Sequence, residues 1–166
     1  LILSFLFGIM CGKILLVQYE AITFKPWVWI KPPVVLNCYG KKLRYSYIEK
    51  SVKYWENLGE KILFIEQKPI KRLCKKRHQI TPGFIKIYMG SDASFSSEST
   101  LAFTKRKASS TSGMMGANIV LRPGSYTIKN LLTHEFGHAF GYTHLNKPGH
   151  IMHPVTELMG DKFWIP

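Results

Sequence analysis

The sequence predicts an α/β or α+β fold in which two helices pack on a sheet. Three observations point there. Short β-branched and aromatic runs are separated by turn residues, one amphipathic segment lies between the first two runs, and a late stretch has apolar residues at helical spacing. The length of 166 residues suits one domain with one core, and a hydrophobic fraction of 46% is enough to build it, which argues against global disorder.

The elements follow in order. Leu1–Val17 is apolar apart from Ser4 and Lys13. Residues 1–17 therefore read as a signal or membrane-anchor segment, having no polar face for a soluble helix. Residues 18–33 read as a linker, because Pro26, Pro32 and Pro33 oppose regular structure. Trp27 and Trp29 within it suit either a membrane interface or a cover over one edge of the core. The folded domain is expected over 34–166.

Val34–Tyr39 reads as a first strand, stopped by Gly40. Ser46 and Glu49 have capping-box spacing, and Ile48, Val52, Trp55 and Leu58 follow at helical spacing. Ser46–Leu58 is thus expected as a helix with one buried face, with Gly59 beyond its end. Lys61–Glu66 and Phe84–Met89 read as the next two strands. The basic run from Lys68 to Arg77 reads as a solvated loop. Thr100–Thr104 reads as a short strand. Lys105–Gly116 reads as a mobile loop from its Ser, Thr and Gly content, and Ala117–Leu121 as a further strand. From Thr127 onward, Ile128, Leu131, Leu132, Phe136, Ala139 and Phe140 mark the apolar side of a second helix.

The formal charge of +13 favours acidic partners such as nucleic acid, anionic lipid, cell-wall polymer or acidic protein, although a merely solvated surface explains it equally well. None of the three cysteines forms a C-x-x-C pair, which excludes a zinc ribbon or a thioredoxin-type redox motif. Cys38 and Cys74 fit either a disulfide in an exported domain or two buried thiols.

The chemistry concentrates in Thr133–His144. His134 and His138 stand four apart, so a helix carries both imidazoles on one face, one turn apart. Zinc accepts neutral imidazole nitrogen, and a catalytic site keeps a position open for water. Glu135 can lie beside that water as general base and then acid. A helix continued past His138 would carry residue 144 about 9 Å further along its axis, out of ligation range. Gly141 permits φ > 0, ends the helix and lets His144 return as third ligand. His150 and His153 are expected to be loop histidines rather than ligands.

The pattern His134-Glu135-x-x-His138-x-x-Gly141-x-x-His144 resembles the extended zinc signature of the metzincin metallopeptidases. Met152 stands where those enzymes carry a methionine in a tight turn beneath the metal, and Met152-His153-Pro154 is most similar to the matrixin branch. The resemblance implies an α+β, zincin-like fold. It would have a mixed, five-stranded twisted sheet, an upper helix, an active-site helix and a short C-terminal subdomain. It also implies a cleft that binds extended peptide along an edge strand, for which Ala117–Leu121 is the candidate. The implied function is a zinc-dependent endopeptidase with His134, His138 and His144 on Zn2+, Glu135 catalytic and Met152 structural. The sequence departs from the family in three places. Leu145 follows the third histidine, Pro154 rather than tyrosine lies two residues after Met152, and the Asp- and Gly-rich loops that hold calcium and a second zinc in animal matrixins have no counterpart.

The expected partner is a protein or peptide substrate. Further expectations are an anionic surface met by the basic face, membrane association through residues 1–17, and an extracytoplasmic location, secreted or anchored. The rival reading is a metzincin scaffold of weak activity that binds nucleic acid, anionic lipid or cell-wall polymer.

Overall fold

The computed structural model describes residues 24–166 apart from 78 and 112. The leader expected over 1–17 lies outside the described residues, and among those residues no helix is long and apolar enough to cross a membrane.

Five strands form one mixed sheet: β1 (Val34–Asn37), β2 (Phe64–Glu66), β3 (Phe84–Met89), β4 (Ala102–Ser109) and β5 (Gly113–Leu121). The spatial order is β2-β1-β3-β5-β4. The first four in this order are parallel, and β4 runs antiparallel to β5 with a bulge at Lys107/Ala108. Among the described residues three α-helices accompany the sheet: α1 (Tyr45–Glu56), α2 (Lys71–Cys74) and α3 (Leu131–Ala139). The fold is α+β with an upper helix and a site-bearing helix, as the resemblance implies.

The core lies between one sheet face and helices α1 and α3. Val35, Ile85, Ile87, Ala117, Ile119 and Leu121 meet Ile48, Val52, Trp55, Leu132 and Phe136, all buried. Strand alternation explains the sheet half of this set, since every second residue reaches the same face. The 3.6-residue period explains the helical half.

Several expectations are corrected. α1 begins at Tyr45 with Arg44 as its extended N-cap residue, and no side-chain cap forms. Ser46 is therefore already inside the first turn, and Glu49 instead pairs with Lys53 at 3.3 Å. The second helix does not start at Thr127, because Asn130 adopts φ 65° and interrupts the chain before Leu131. The segment expected as a mobile loop, 105–116, contains most of β4 and the start of β5. Ala117–Leu121 is not the edge strand, because β5 is paired on both sides, by β3 and β4. The edge is β4. Part of the basic run forms α2, and Cys38 and Cys74 form a disulfide that joins the end of β1 to it, with Cα atoms 5.3 Å apart.

Residues 24–30 run over the domain as a strap. Phe24 is buried against Tyr142, His150 and Phe163. Trp29 donates its indole N–H to the Ala139 carbonyl at 2.9 Å, and the Met114 N–H bonds the Val28 carbonyl at 2.8 Å. Lys25 and Tyr142 both reach the Glu60 carboxylate. The tryptophan-bearing segment thus covers one edge of the core.

Candidate active site

Helix α3 delivers His134, Glu135 and His138 to the cleft beside β4. His134 and Glu135 are each 4% exposed, so every polar atom there needs a partner. His134 Nδ1 lies 2.8 Å from the Ile151 carbonyl oxygen, and His138 Nδ1 lies 2.9 Å from the Tyr142 carbonyl oxygen. A carbonyl only accepts, so each Nδ1 carries the proton and each Nε2 keeps a lone pair. Such outer hydrogen bonds fix the tautomer and ring orientation of a metal-binding histidine.

His144 arrives by the expected reversal. The helix ends at Ala139, and Gly141 takes φ 108°. The Tyr142 N–H returns to the Gly137 carbonyl at 3.0 Å, and the Thr143 N–H bonds Phe24 O at 2.8 Å. A side chain at 141 would also run into the Trp27 carbonyl oxygen, so only glycine allows both the turn and the strap behind it. His144 Nε2 then lies 3.0 Å from His138 Nε2.

One nitrogen from each of His134, His138 and His144 falls within 4.8 Å of the others. Nitrogens about 2.0–2.1 Å from one tetrahedral zinc stand roughly 3.3–3.4 Å apart, so little adjustment brings this set to that spacing. The donor set also has the correct protonation. Burial, outweighing the opposing hydrogen bond to the Ile151 carbonyl, pushes the His134 pKa down to about 4. Burial, and next the neighbouring His134, pushes that of His138 down to about 3. His144 is also lowered, by burial and then by the Arg106 guanidinium. Neutral imidazoles converging on one point fit zinc.

Glu135 sits beside this cluster with its carboxyl desolvated, which pushes its pKa up to about 7 against the opposing hydrogen bond from Thr104. Thr104 comes from β4. Its hydroxyl lies 2.6 Å from Glu135 Oε2 and 3.1 Å from Glu135 O. The shorter distance is that of a charge-assisted O–H···O⁻ bond. Two strand positions on, the Arg106 guanidinium donates to Tyr142 O at 3.0 Å and more weakly to His138 O at 3.4 Å. It therefore braces the same carbonyl that orients the His138 ring.

Met152 is fully buried beneath α3. A Cβ at Gly137 would collide with the Met152 sulfur and the Trp55 ring, so this glycine admits the methionine turn between the two helical histidines. Trp55 Nε1 donates to Thr133 O at 2.7 Å and fixes α3 against α1. His150 and His153 stay outside the cluster. His150 Nδ1 accepts from Met152 N at 3.0 Å and its Nε2 faces Trp164 O at 3.1 Å, while His153 Nδ1 accepts from Val155 N at 3.0 Å. Sequence reasoning missed Thr104, Arg106 and Gly137. Threonine and arginine alternate toward one face at 104 and 106, but the surrounding Ser, Thr and Gly mask that strand signal.

Comparison with known proteins bears on the same residues. The family model described as matrixin matches residues 61–165. No curated protein matches the chain. The model spans well over half the sequence and includes β4, the three-histidine cluster and the methionine turn, so the chain belongs to the matrixin family of zinc metallopeptidases.

Proposed function

We propose that the protein is a zinc-dependent endopeptidase in which His134, His138 and His144 hold the metal and Glu135 is the general base and then acid. The convergence of three imidazole nitrogens, two with tautomers fixed by backbone carbonyls, carries this reading. When bound, zinc supplies Lewis acidity that lowers the pKa of water and polarises a scissile carbonyl.

The chain's own groups do the rest. Glu135 takes the proton from the attacking water and returns it to the departing amine nitrogen. Burial raises the basicity of this carboxylate, which helps it hold the proton between the two transfers. Thr104 holds the carboxylate in one rotamer. A cavity of about 560 Å³ adjoins these residues, lined also by Ala102, Leu131 and Pro154. The free edge of β4 borders it and offers backbone groups for an extended peptide, the mode of strand addition. The disulfide supports an oxidising, extracytoplasmic setting.

Zinc stoichiometry, together with cleavage profiling of a peptide library with and without chelator, tests the reading. One zinc per chain and chelator-sensitive cleavage are expected. Undiminished turnover of Glu135→Ala in zinc-replete protein would overturn the role of that residue.

A further inference from the structure

The sheet face opposite the histidines carries a second cavity, of about 420 Å³. Register explains what lines it. Lys105, Asn118 and Lys86 are paired neighbours across β4, β5 and β3, and the next row is Phe103, Val120 and Tyr88. These positions alternate with the core-facing Thr104, Ile119 and Ile87. Arg77 and the hydroxyls of Ser91 and Ser94 close the rim.

The charge balance here is one-sided. Arg77 and Lys105 line the cavity, and no carboxylate does. Lys86, fully buried in the same row, spends its ammonium on the Gln79 carbonyl at 2.8 Å and the Lys76 carbonyl at 3.4 Å. It takes part in none of the ion pairs among the described residues. The wall also holds an unpaired acceptor. Asn118 is 2% exposed and its amide nitrogen donates to Arg77 O at 3.0 Å, but its Oδ1, itself closed to solvent, has no partner. A buried acceptor without a donor is costly, so a turn of this side chain toward a donor in the cavity would be favourable.

We propose that this cavity binds an acidic sugar unit of a glycan, a function separate from peptide hydrolysis. A uronate brings a carboxylate for the two cations and hydroxyl hydrogens for the serines, and for Asn118 Oδ1 once that side chain turns to the cavity. Its C–H face suits the rings of Tyr88 and Phe103. An inorganic phosphate dianion brings only one such donor and no apolar face. A nucleic-acid backbone calls for a stripe of cations along a groove, whereas this site is a cavity sized for one or two sugar rings.

The test uses the full zinc-loaded chain and calorimetric titration. The probes are a glucuronate-containing tetrasaccharide, a neutral N-acetylglucosamine tetrasaccharide, inorganic phosphate and a single-stranded oligonucleotide. The uronate probe should bind at least about tenfold more tightly than each of the others. Arg77→Gln should weaken it by about fivefold or more, leaving cleavage of a short peptide unchanged. The side chain is exposed, so the fold tolerates the change. Lys50→Gln with Lys129→Gln, whose side chains lie elsewhere on the surface, should leave binding intact. Equal binding of the neutral probe, tighter binding of the oligonucleotide, or equal loss in the Lys50/Lys129 control would each overturn the proposal.

Discussion

Five histidines crowd one end of this protein, in two segments that differ in how they use their ring nitrogens. In 134–144, His134 and His138 give their Nδ1–H groups to backbone carbonyls, leaving Nε2 free to converge with His144. In 150–153, His150 commits both nitrogens to the backbone of Met152 and Trp164, and His153 accepts from Val155. Residue type and proximity are shared, yet the hydrogen-bond partners separate two candidate metal donors, His134 and His138, from two structural cross-links. A histidine is therefore better read as a ligand from what its second nitrogen does than from its position near a site.

The sharpest way to break this comparison is to exchange the fates. His138→Ala should abolish stoichiometric zinc and reduce turnover to background, whereas His153→Ala should keep one zinc per chain. Metal analysis after gel filtration checks both, and zinc retained by His138→Ala would undo the assignment. Next in size is Glu135→Gln. It should keep zinc and lose about 10²–10⁴-fold in kcat, the usual worth of a general acid–base group. A KM near the wild-type value would locate the loss in chemistry rather than in binding.

On the structural side of the comparison, His150→Ala should bind zinc normally but unfold more easily by about 1–3 kcal/mol, since the Met152 N–H and Trp164 carbonyl lose a buried partner. Denaturant midpoints give this figure. Thr104→Val preserves shape and removes the hydroxyl that Glu135 Oε2 meets at 2.6 Å. A fall of about tenfold in kcat at constant zinc content is expected, the kinetic equivalent of one hydrogen bond worth about 1.4 kcal/mol. Thr104→Ser should restore most of it, and a serine variant as slow as the valine variant would make Thr104 a packing residue only.

The same contrast shows what the sequence made readable. The 134–144 motif is local: one helical turn sets the spacing of two ligands, and one glycine accounts for the return of the third. The methionine turn was legible by resemblance. The supports come from distant parts of the chain. Thr104 and Arg106 act only because β4 pairs with β5 at the sheet edge, and pairing partners are not encoded in a strand's own period. For the same reason Ala117–Leu121 looked like an edge strand while lying inside the sheet. Phe24, Lys25 and Trp29 brace the Gly141 reversal from residues whose prolines gave them the signature of a linker. The disulfide was open between two readings because the 36 residues separating Cys38 from Cys74 say nothing about their distance in space.

The smallest expected effect is the response of zinc affinity to mild acid. Protons compete with the metal for the same lone pairs, and an ordinary imidazole, with pKa about 6.5, is roughly nine-tenths protonated at about pH 5.5. Three such ligands would weaken binding by about a thousandfold between neutral pH and that point. In this site burial holds His134 near 4 and His138 near 3, and lowers His144 as well. The sign follows: depressed pKa values keep the imidazoles neutral as pH falls, so competition from protons is postponed to the region of the lowered values. Only His144, the exposed member, is left to contribute, and since even an ordinary imidazole there would cost about tenfold between pH 7.5 and 5.5, affinity should fall by no more than that. Competitive titration against a chelator of known proton dependence measures this. A thousandfold loss would mean that the rings titrate as free imidazoles, and burial of the 134–144 segment would then not be what keeps its donors neutral.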